Sequence, residues 1–450
     1  MRRARAGFAA LVAASTISLL GTRMTAIGLP WLVLSMPGGG AAGLGVVSAA
    51  ELLPYVVACA LAGPLIDRLG SRRISVAADF ASAVVVGAVP LLDRRGHLGY
   101  TQLVVLVAVA GLLRALGDTA KHGAVFPQAV RAAGVDMTRA AALSDGASRT
   151  ASMVGTPLGA GLIALLGGAA PLLALDAASF LCCALAIAVF VRVAGCADAA
   201  PESYGAALRA GMAYVRADRL VLGLAVMVFV TNTLDQSFGA VLLPLWSYDV
   251  FHSPFGIALV STTLGAGAVV GNIAFTAVAH RLPRWPLYAV GFMIAGGPRF
   301  ALLAFGAPAI AIGVYGFVCG LAIASINPIL SAVMIERIPM HLQARVSGIV
   351  AAICAGGMPL GALLAGWLGS VGTSFALLVV GGAYFLTTLA PFRGRFWREM
   401  NRRYTPDSDS DSKPPINGSP IAARALPETG GEPHASAAHP AAPAALSSAD

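Results

Sequence analysis

Ten ionisable residues interrupt the long apolar stretches of this sequence and are the residues best placed to do chemistry. They are Arg23, Glu51, Asp79, Arg114, Asp118, Asp145, Arg149, Asp176, Asp235 and Arg299. A charge inside a bilayer costs about 3 kcal/mol or more, so it marks either a function or a fixed ion pair. Burial favours the protonated form of a carboxylate, and a neighbouring arginine favours the ionised form. A carboxylate–arginine pair that forms and breaks can therefore carry a proton.

Hairpin geometry suggests which of these charges meet, because residues equidistant from a turn lie at similar depth. Arg23 and Glu51 are equidistant from the turn at 36–40, and this predicts a buried pair between them. Arg114, Asp118, Asp145 and Arg149 are related in the same way about 131–135, and form i,i+4 neighbours within each helix, which predicts one charge cluster.

Glu51 and Asp235 are the candidates for the proton-carrying carboxylate. The alternative for each is a static ion pair that fixes helix packing, and this alternative is favoured for the four-charge cluster. Asp176 lies near the start of a predicted helix, where it is expected to act as a cap.

The elements that position these charges are membrane-spanning helices. The chain has 450 residues, of which 57% are hydrophobic and 11% charged, whereas soluble domains carry about 25% charged residues. Twelve apolar stretches are long enough to cross a bilayer. They predict an all-α membrane protein with bundles at 1–191 and 220–404, a cytoplasmic connector at 192–219, and a disordered cytoplasmic tail at 405–450. Among the twelve stretches we expect the fourth to run from 102 to 125, the seventh from 220 to 245 and the tenth from 309 to 333, which leaves Glu336 and Arg337 in an inner loop.

Arginine placement orients the helices. With the N-terminus inside, arginines crowd the inner loops and only Arg94 and Arg95 fall outside. This positive-inside pattern predicts a multi-pass protein of a bacterial inner membrane with both termini cytoplasmic. The net charge of +9 is thereby explained by topology, so no nucleic-acid partner is expected. The six cysteines form no CxxC pair, and neither a metal site nor a cofactor is expected.

The two halves also repeat each other. Pro157-Leu158-Gly159-Ala160 recurs 202 residues later as Pro359-Leu360-Gly361-Ala362. The spacing of Pro30 and Pro244 maps Asp235 close to Arg23. Parallel six-helix repeats with a site between them are typical of alternating-access transporters.

The segment GPLIDRLGSRR (Gly63 to Arg73) lies in the loop between the second and third helices. It resembles the signature loop of the major facilitator superfamily. We expect Gly63 to allow close helix contact, Gly70 to form a tight turn, and Asp67 to accept hydrogen bonds. Arg68, Arg72 and Arg73 are expected to hold the inner face as a gate. The second-half copy, HRLPRW from His280 to Trp285, lacks the acidic residue.

The resemblance implies a twelve-helix major facilitator fold with two pseudo-symmetric bundles. In that family helices 1, 4, 7 and 10 line the central cavity. The residues that this implies for the cavity are Arg23, Arg114, Asn232, Asp235 and Asn327.

The segment VGTPLGAGL (Val154 to Leu162) resembles the Gly-Pro motif of antiporters in this superfamily. Gly155, Gly159 and Gly161 are expected to permit close helix approach, and Pro157 a kink. Thr156 departs from the family pattern, and ordinary glycine packing is the alternative. Segments at 20–33, 174–181 and 207–221 resemble the branch that contains macrolide-efflux proteins and the enterobactin exporter.

This resemblance implies a proton-coupled exporter of small amphipathic molecules such as drugs, macrolides or siderophore-like compounds. Transport would be powered by the proton motive force. The expected partners are the small-molecule substrate and the lipid bilayer, and a monomer is expected. An importer of the same fold is the main alternative. A membrane enzyme or sensor is a further alternative, although no HExxH, GxSxG or P-loop motif is present.

Overall fold

The computed structural model describes residues 2–191, 204–278, 281–339 and 342–402. Within these ranges every regular element is a helix, and twelve helices are long and apolar enough to cross a membrane. We number them α1 Arg2–Ser35, α2 Ala41–Leu69, α3 Ser71–Arg94, α4 Tyr100–Ala133, α5 Met137–Leu166, α6 Ala170–Phe190, α7 Arg219–Phe251, α8 Phe255–Val278, α9 Arg284–Ala304, α10 Ala309–Arg337, α11 Arg345–Val371 and α12 Thr373–Phe392. The predicted all-α class and the number of spans are confirmed.

We call α1–α6 the first half and α7–α12 the second half. The end of the bundle that carries the loops at 36–40, 95–99, 167–169, 252–254, 305–308 and 372 is called the arginine-poor end. The opposite end, which carries the start of α1 and the turns at Gly70 and 134–136, is called the arginine-rich end.

Helix ends follow local chemistry. Gly70 separates α2 from α3 with a φ of 87°, a conformation that glycine adopts without strain. Asp136 caps α5 by accepting from the Arg139 amide at 3.0 Å. Asp218 caps α7 by accepting from the Leu220 and Val221 amides at 2.9 and 3.1 Å.

Two helices run further than the sequence predicts. Helix α4 was expected to end near residue 125 and α7 near 245, but they continue to Ala133 and Phe251. Each contains a π-helical segment, Lys121–Val125 in α4 and Ser237–Leu242 in α7. These segments come directly before Pro127 and Pro244, and the wider turn lets the helix continue past a proline that would clash in regular geometry.

The packing confirms the repeat offset of 202 residues. In the first half, a methyl group added at Gly155 would lie 2.8 Å from Arg23 Cβ, and one at Gly159 would lie 3.1 Å from Met24 Cα, so α5 packs tightly on α1. In the second half the equivalent Gly357 and Gly361 meet α7, where added methyl groups would clash with Thr233. The same small residues thus bring equivalent helices together in both halves.

The predicted connector lies partly outside the described residues. Its described part is a helix, Tyr204–Ala217, whose Tyr214 hydroxyl donates to the Arg337 carbonyl at 2.8 Å and so ties it to α10. Residues 192–203 and the predicted tail from 405 onward lie outside the described residues.

Candidate functional site

A cavity of about 320 Å³ opens between the two halves, and we call it the central cavity. Helices α1, α2 and α4 of the first half and α7 of the second half contribute its lining. The polar part of the lining consists of Thr22, Arg23, Thr25, Ser48, Glu51, Arg114 and Gln236. The remainder is apolar, with Leu29, Leu44, Val47 and Leu52 among the contributors. A small amphipathic molecule would match such a mixed surface.

A second cavity, of about 330 Å³, lies within the first half, and we call it the first-half cavity. It shares Thr22, Arg23 and Arg114 with the central cavity. From there it extends towards the arginine-rich end, where Leu11, His122 and Ser144 line it. Arg23 and Arg114 therefore stand at the junction of two polar spaces.

Contacts at the arginine-poor end close the space between the halves. A methyl group added at Gly45 of α2 would lie 2.7 Å from the Ala362 carbonyl oxygen of α11, and one at Gly369 would lie 2.9 Å from Ala41 Cβ. The Trp31 ring of α1 lies 5.3 Å from the Tyr248 ring of α7. These contacts form a closed gate on the arginine-poor side of the central cavity.

Glu51 pairs with Arg114 rather than with Arg23. Arg114 Nη1 lies 2.9 Å from Glu51 Oε1, and both side chains remain about one quarter exposed, at 27% and 26%. The Arg114 guanidinium also lies 5.2 Å from the centre of the Tyr55 ring. The predicted Arg23–Glu51 pair is wrong because hairpin symmetry fixes only depth. Gly111 brings α4 directly against the Glu51 backbone.

The predicted four-charge cluster is only partly visible. Asp118 accepts from the Tyr55 hydroxyl at 3.4 Å and lies 4.0 Å from Lys121 Nζ. Arg114 makes its ion pair with Glu51, and Asp118 lies near enough to act electrostatically on the same guanidinium. The side chains of Asp145 and Arg149 lie outside the described part of the structure.

A buried ion pair that sequence reasoning missed joins α3 and α4. Lys121 Nζ lies 2.8 Å from Asp79 Oδ1, with side chains only 9% and 3% exposed, and the Cys183 sulfur lies 4.0 Å from the same nitrogen. Asp79 was identified as an intramembrane charge, but Lys121 stood too near the predicted end of α4 to attract notice. Lys121 is the first residue of the π segment, and the available signal was a lysine six residues before Pro127.

Asp235 pairs with Arg299 of α9 and receives a 3.3 Å hydrogen bond from the Tyr384 hydroxyl. Three aromatic rings surround the Arg299 guanidinium, at 4.5 Å for Phe238, 5.0 Å for Phe300 and 5.4 Å for Tyr384. Stacking on three rings holds this guanidinium in place.

Two further residues expected in the cavity have other surroundings. The Asn232 amide donates to the Cys354 carbonyl at 3.2 Å and so joins α7 to α11. Asn327 is exposed on α10, close after the break between Ile323 and Ile326 in that helix.

The loop from Gly63 to Arg73, at the arginine-rich end, matches its sequence prediction in part. Gly70 makes the turn, and Arg72 Nη2 donates to the Ala188 carbonyl of α6 at 2.5 Å. Arg68 and Arg73 are exposed. Gly63 faces open space, so its expected role in close helix contact is wrong. The side chain of Asp67 lies outside the described part of the structure.

The antiporter-like motif from Val154 to Leu162 also matches its sequence prediction only in part. Gly155 and Gly159 pack on α1 as expected, and Pro157 lies inside α5. An added methyl group at Gly161 would meet nothing within 4 Å, so the expectation of close approach there is wrong. Two residues along a helix turn the chain by about 200°, which takes Gly161 to the face opposite Gly159.

Asp176 is not a helix cap. Helix α6 begins six residues earlier, at Ala170, and Asp176 is 2% exposed. Its carboxylate accepts from the Ser179 hydroxyl at 3.3 Å. With Glu51 and Arg114 it lines a small pocket of about 40 Å³ inside the first half.

A second charge network fastens the second half at the arginine-rich end. Arg284 Nη1 and Nη2 each lie 2.7 Å from a carboxylate oxygen of Glu336. Arg337 donates to Asp218 at 2.5 Å and to Glu399 at 2.7 Å. Glu336 and Arg337, expected in a loop, are the last two residues of α10.

Solved structures share this architecture. The crystal structure of the nucleoside transporter NupG superposes with a TM-score of 0.70, covering 86% of this chain and 100% of that chain at 13% sequence identity. At this identity the likeness shows the fold alone. Twelve candidate membrane helices in the described part of the chain, around a cavity between two halves, define the protein as a multi-pass membrane protein with the major facilitator fold.

The family follows from sequence. The family described as transmembrane secretion effector matches residues 3–426, and the chain belongs to this family. A multidrug efflux pump named Tap, from Mycolicibacterium fortuitum, is 30% identical over 365 residues, which cover 80% of this chain and 87% of that protein. The Tap pump of Mycobacterium tuberculosis (strain ATCC 25618 / H37Rv) is 28% identical over 419 residues, covering 91% and 98% of the two chains.

Proposed function

We propose that this protein is a secondary active exporter of small amphipathic molecules, driven by proton antiport. The observation that carries the proposal is the Glu51–Arg114 pair in the wall of a cavity shared by the two halves. The relatives named multidrug efflux pumps support export. The protein would move its substrate unchanged, as a monomer in the lipid bilayer, without a cofactor or a nucleic-acid partner.

The arginine-rich end would face the cytoplasm of a bacterial cell, with both termini inside and the protein in the inner membrane. In this orientation the closed gate at Gly45, Trp31 and Gly369 faces outward. The described state would then load substrate from the cytoplasm and the membrane interior.

The moving parts would be residues 1–191 and 220–404, rocking about the central cavity. Opening the outer side requires the contacts between α2 and α11 to separate. The contacts at the arginine-rich end would close in turn. The loop from Gly63 to Arg73 would serve there as the inner gate.

Proton coupling would use Glu51. Protonation removes its charge and dissolves the ion pair, which leaves the Arg114 guanidinium available to the cavity. Asp235 is the weaker candidate because three aromatic rings confine its arginine partner. An ion pair that can break suits a coupling site, whereas one enclosed by rings suits a structural support.

The proposal is tested in everted membrane vesicles whose lumen is acidified, since that lumen corresponds to the outside of the cell. The probes are radiolabelled nalidixate, chloramphenicol and erythromycin, which are acidic, neutral and basic. We expect gradient-dependent uptake of at least one probe by the wild type and none by Glu51→Gln. Uptake of no probe, or uptake only when the lumen is alkaline, would overturn the exporter assignment. Uptake only into an alkaline lumen would instead support proton-coupled import.

A further inference from the structure

Arg23 differs from the other cations deep in this bundle. Arg114 pairs with Glu51, Lys121 with Asp79, and Arg299 with Asp235. Within the described residues, Arg23 has neither an ion pair nor a hydrogen bond. Its side chain is exposed into the space where the central and first-half cavities join.

Among the side chains that the structure describes, which leave out Asp145 and Arg149 of α5, the charges around Arg23 offer it no counter-ion. Among the described charged groups, the one that acts on it is Arg114, a second cation. Glu51 is held by Arg114, and Asp118 faces Tyr55 and Lys121. An arginine inside a membrane is normally matched by an anion, because a lone charge there is costly. Arg23 lacks this match among the described side chains, so the position is suited to an anion supplied from outside the chain.

The position is also fixed by packing. The backbone of α1 at this level lies against Gly155 of α5, where an added methyl group would lie 2.8 Å from Arg23 Cβ. Thr22, Ser48 and Gln236 line the same cavity and bring hydroxyl and amide groups to it. A guanidinium with neighbouring hydrogen-bond donors is a favourable site for a carboxylate, sulfonate or phosphate.

We propose that Arg23 binds the acidic group of the transported molecule, so that the substrates are amphipathic anions. The apolar wall, with Leu29, Leu44, Val47 and Leu52, would hold the rest of the molecule. This inference rests on the proposed function, because it assigns the chemical class of the substrate to the same cavity.

Binding to the purified full-length protein tests the inference without any gradient. The probes are radiolabelled 1-naphthoate, 1-naphthamide and 1-naphthylmethylammonium, which share one ring system and differ in charge. Equilibrium dialysis with the protein in phosphatidylcholine nanodiscs gives the three affinities. We expect naphthoate to bind at least about tenfold more tightly than naphthamide, as one charge-assisted hydrogen-bonded pair would give, and the ammonium to bind most weakly.

Two substitutions at Arg23 and one control substitution at Arg95 test whether the anion binds at Arg23. Arg23→Gln should abolish the preference for naphthoate over naphthamide, and Arg23→Lys should retain part of it. Arg95→Gln removes a cation from the exposed loop at the arginine-poor end and should leave the preference unchanged. Each variant is compared after size-exclusion chromatography and a thermal melt, so a misfolded sample is recognised.

Equal binding of naphthoate and naphthamide by the wild type would overturn the inference, as would a preference that survives Arg23→Gln. Loss of naphthoate binding when phosphatidylglycerol replaces phosphatidylcholine would assign Arg23 to a lipid headgroup and would also overturn it. If efflux fails in vesicles while the Arg23-dependent preference holds, only the proposed direction or coupling is wrong.

Discussion

The first half and the second half share their helix packing but use their charges differently. In both halves a glycine pair at equivalent positions presses one helix against another, Gly155 and Gly159 on α1 and Gly357 and Gly361 on α7. In the first half, Glu51 and Arg114 face the cavities with about a quarter of each side chain exposed. In the second half, aromatic rings cover the deep arginine Arg299, which lies on α9.

In the proposed mechanism, this difference assigns substrate binding and proton exchange to the first half and mechanical support to the second half. Under that mechanism, the common packing would give each half a similar framework, as alternating access between two related bundles requires. The unequal charges of the proposed mechanism would leave the first half to bind substrate and exchange protons. The second half, braced by Arg299 and by the Arg284 and Arg337 networks, would serve mainly as the body against which the first half moves.

Neutralising Glu51 and Asp235 in separate variants should give the largest difference in transport rate between the two halves. We expect Glu51→Gln to lower proton-driven transport by at least about a hundredfold, the scale of losing an acid–base group. Asp235→Asn should retain most of the transport, because its partner is still held by three rings. Initial uptake rates in everted vesicles, normalised to the amount of folded protein, measure both. The division of tasks is wrong if Asp235→Asn is the more damaging change.

Removing one partner from the Lys121–Asp79 pair and one from the Arg299–Asp235 pair compares how much each ion pair contributes to stability. Lys121→Met leaves Asp79 buried without a cation and should lower the free energy of unfolding by about 3 kcal/mol. Arg299→Met leaves Asp235, which is 43% exposed, and should cost about 2 kcal/mol, much of it from lost ring contacts.

Unfolding in mixed micelles with increasing denaturing detergent measures both variants. The double variant Lys121→Met/Asp79→Leu is the control, and it should recover most of the stability because neither charge then remains. A Lys121→Met protein as stable as the wild type would show that this pair contributes nothing to folding.

The glycine contacts test the shared packing. Gly361→Ala pushes a methyl group into Thr233 and should destabilise by about 2 kcal/mol through overpacking. Gly159→Ala should cost less, because the nearest atom, Met24 Cα, would lie 3.1 Å away. Gly161→Ala meets open space and serves as the control, with stability unchanged or slightly raised. Equal effects at all three positions would contradict the packing described for the two halves.

The network at the arginine-rich end should give the smallest effect. Glu399 is 37% exposed and shares Arg337 with Asp218, so Glu399→Gln should cost about 0.5 kcal/mol or less. The thermal unfolding midpoint at low and high salt checks this, since a surface pair weakens with salt. A loss as large as that of Lys121→Met would show that this network, rather than the buried pairs, stabilises the second half.

The sequence predicted the framework because membrane helices are read from hydropathy and loop charge. The twelve spans, the turn at Gly70 and the 202-residue repeat all follow from composition and spacing. The ion pairs were harder to predict, because depth along a hairpin says nothing about helix rotation. Glu51 was matched to Arg23 by depth, yet Gly111 brings α4 rather than α1 to its side.

The missed Lys121–Asp79 pair has a similar cause. Its detection requires that α4 continue past residue 125 as a helix, and Pro127 argues against this in a sequence. The same limit applies to α7, where Pro244 follows a π segment. At Gly161 a close helix contact was predicted that the structure does not have. The motif names glycines without saying which face of the helix each one occupies.

A cross-link between the halves tests most directly whether they move apart at the arginine-poor end. Gly369→Cys and Ala41→Cys would place two thiols where an added Cβ at Gly369 is 2.9 Å from Ala41 Cβ, close to the geometry of a disulfide after a small shift. The background is a variant whose six native cysteines are replaced. Gly87→Cys/Ala177→Cys, with a spacing of 3.4 Å between α3 and α6, is the matched control within one half. We predict that oxidation stops transport in the first pair, that reductant restores it, and that the control pair transports throughout. Undiminished transport with the α2–α11 disulfide intact would contradict the account.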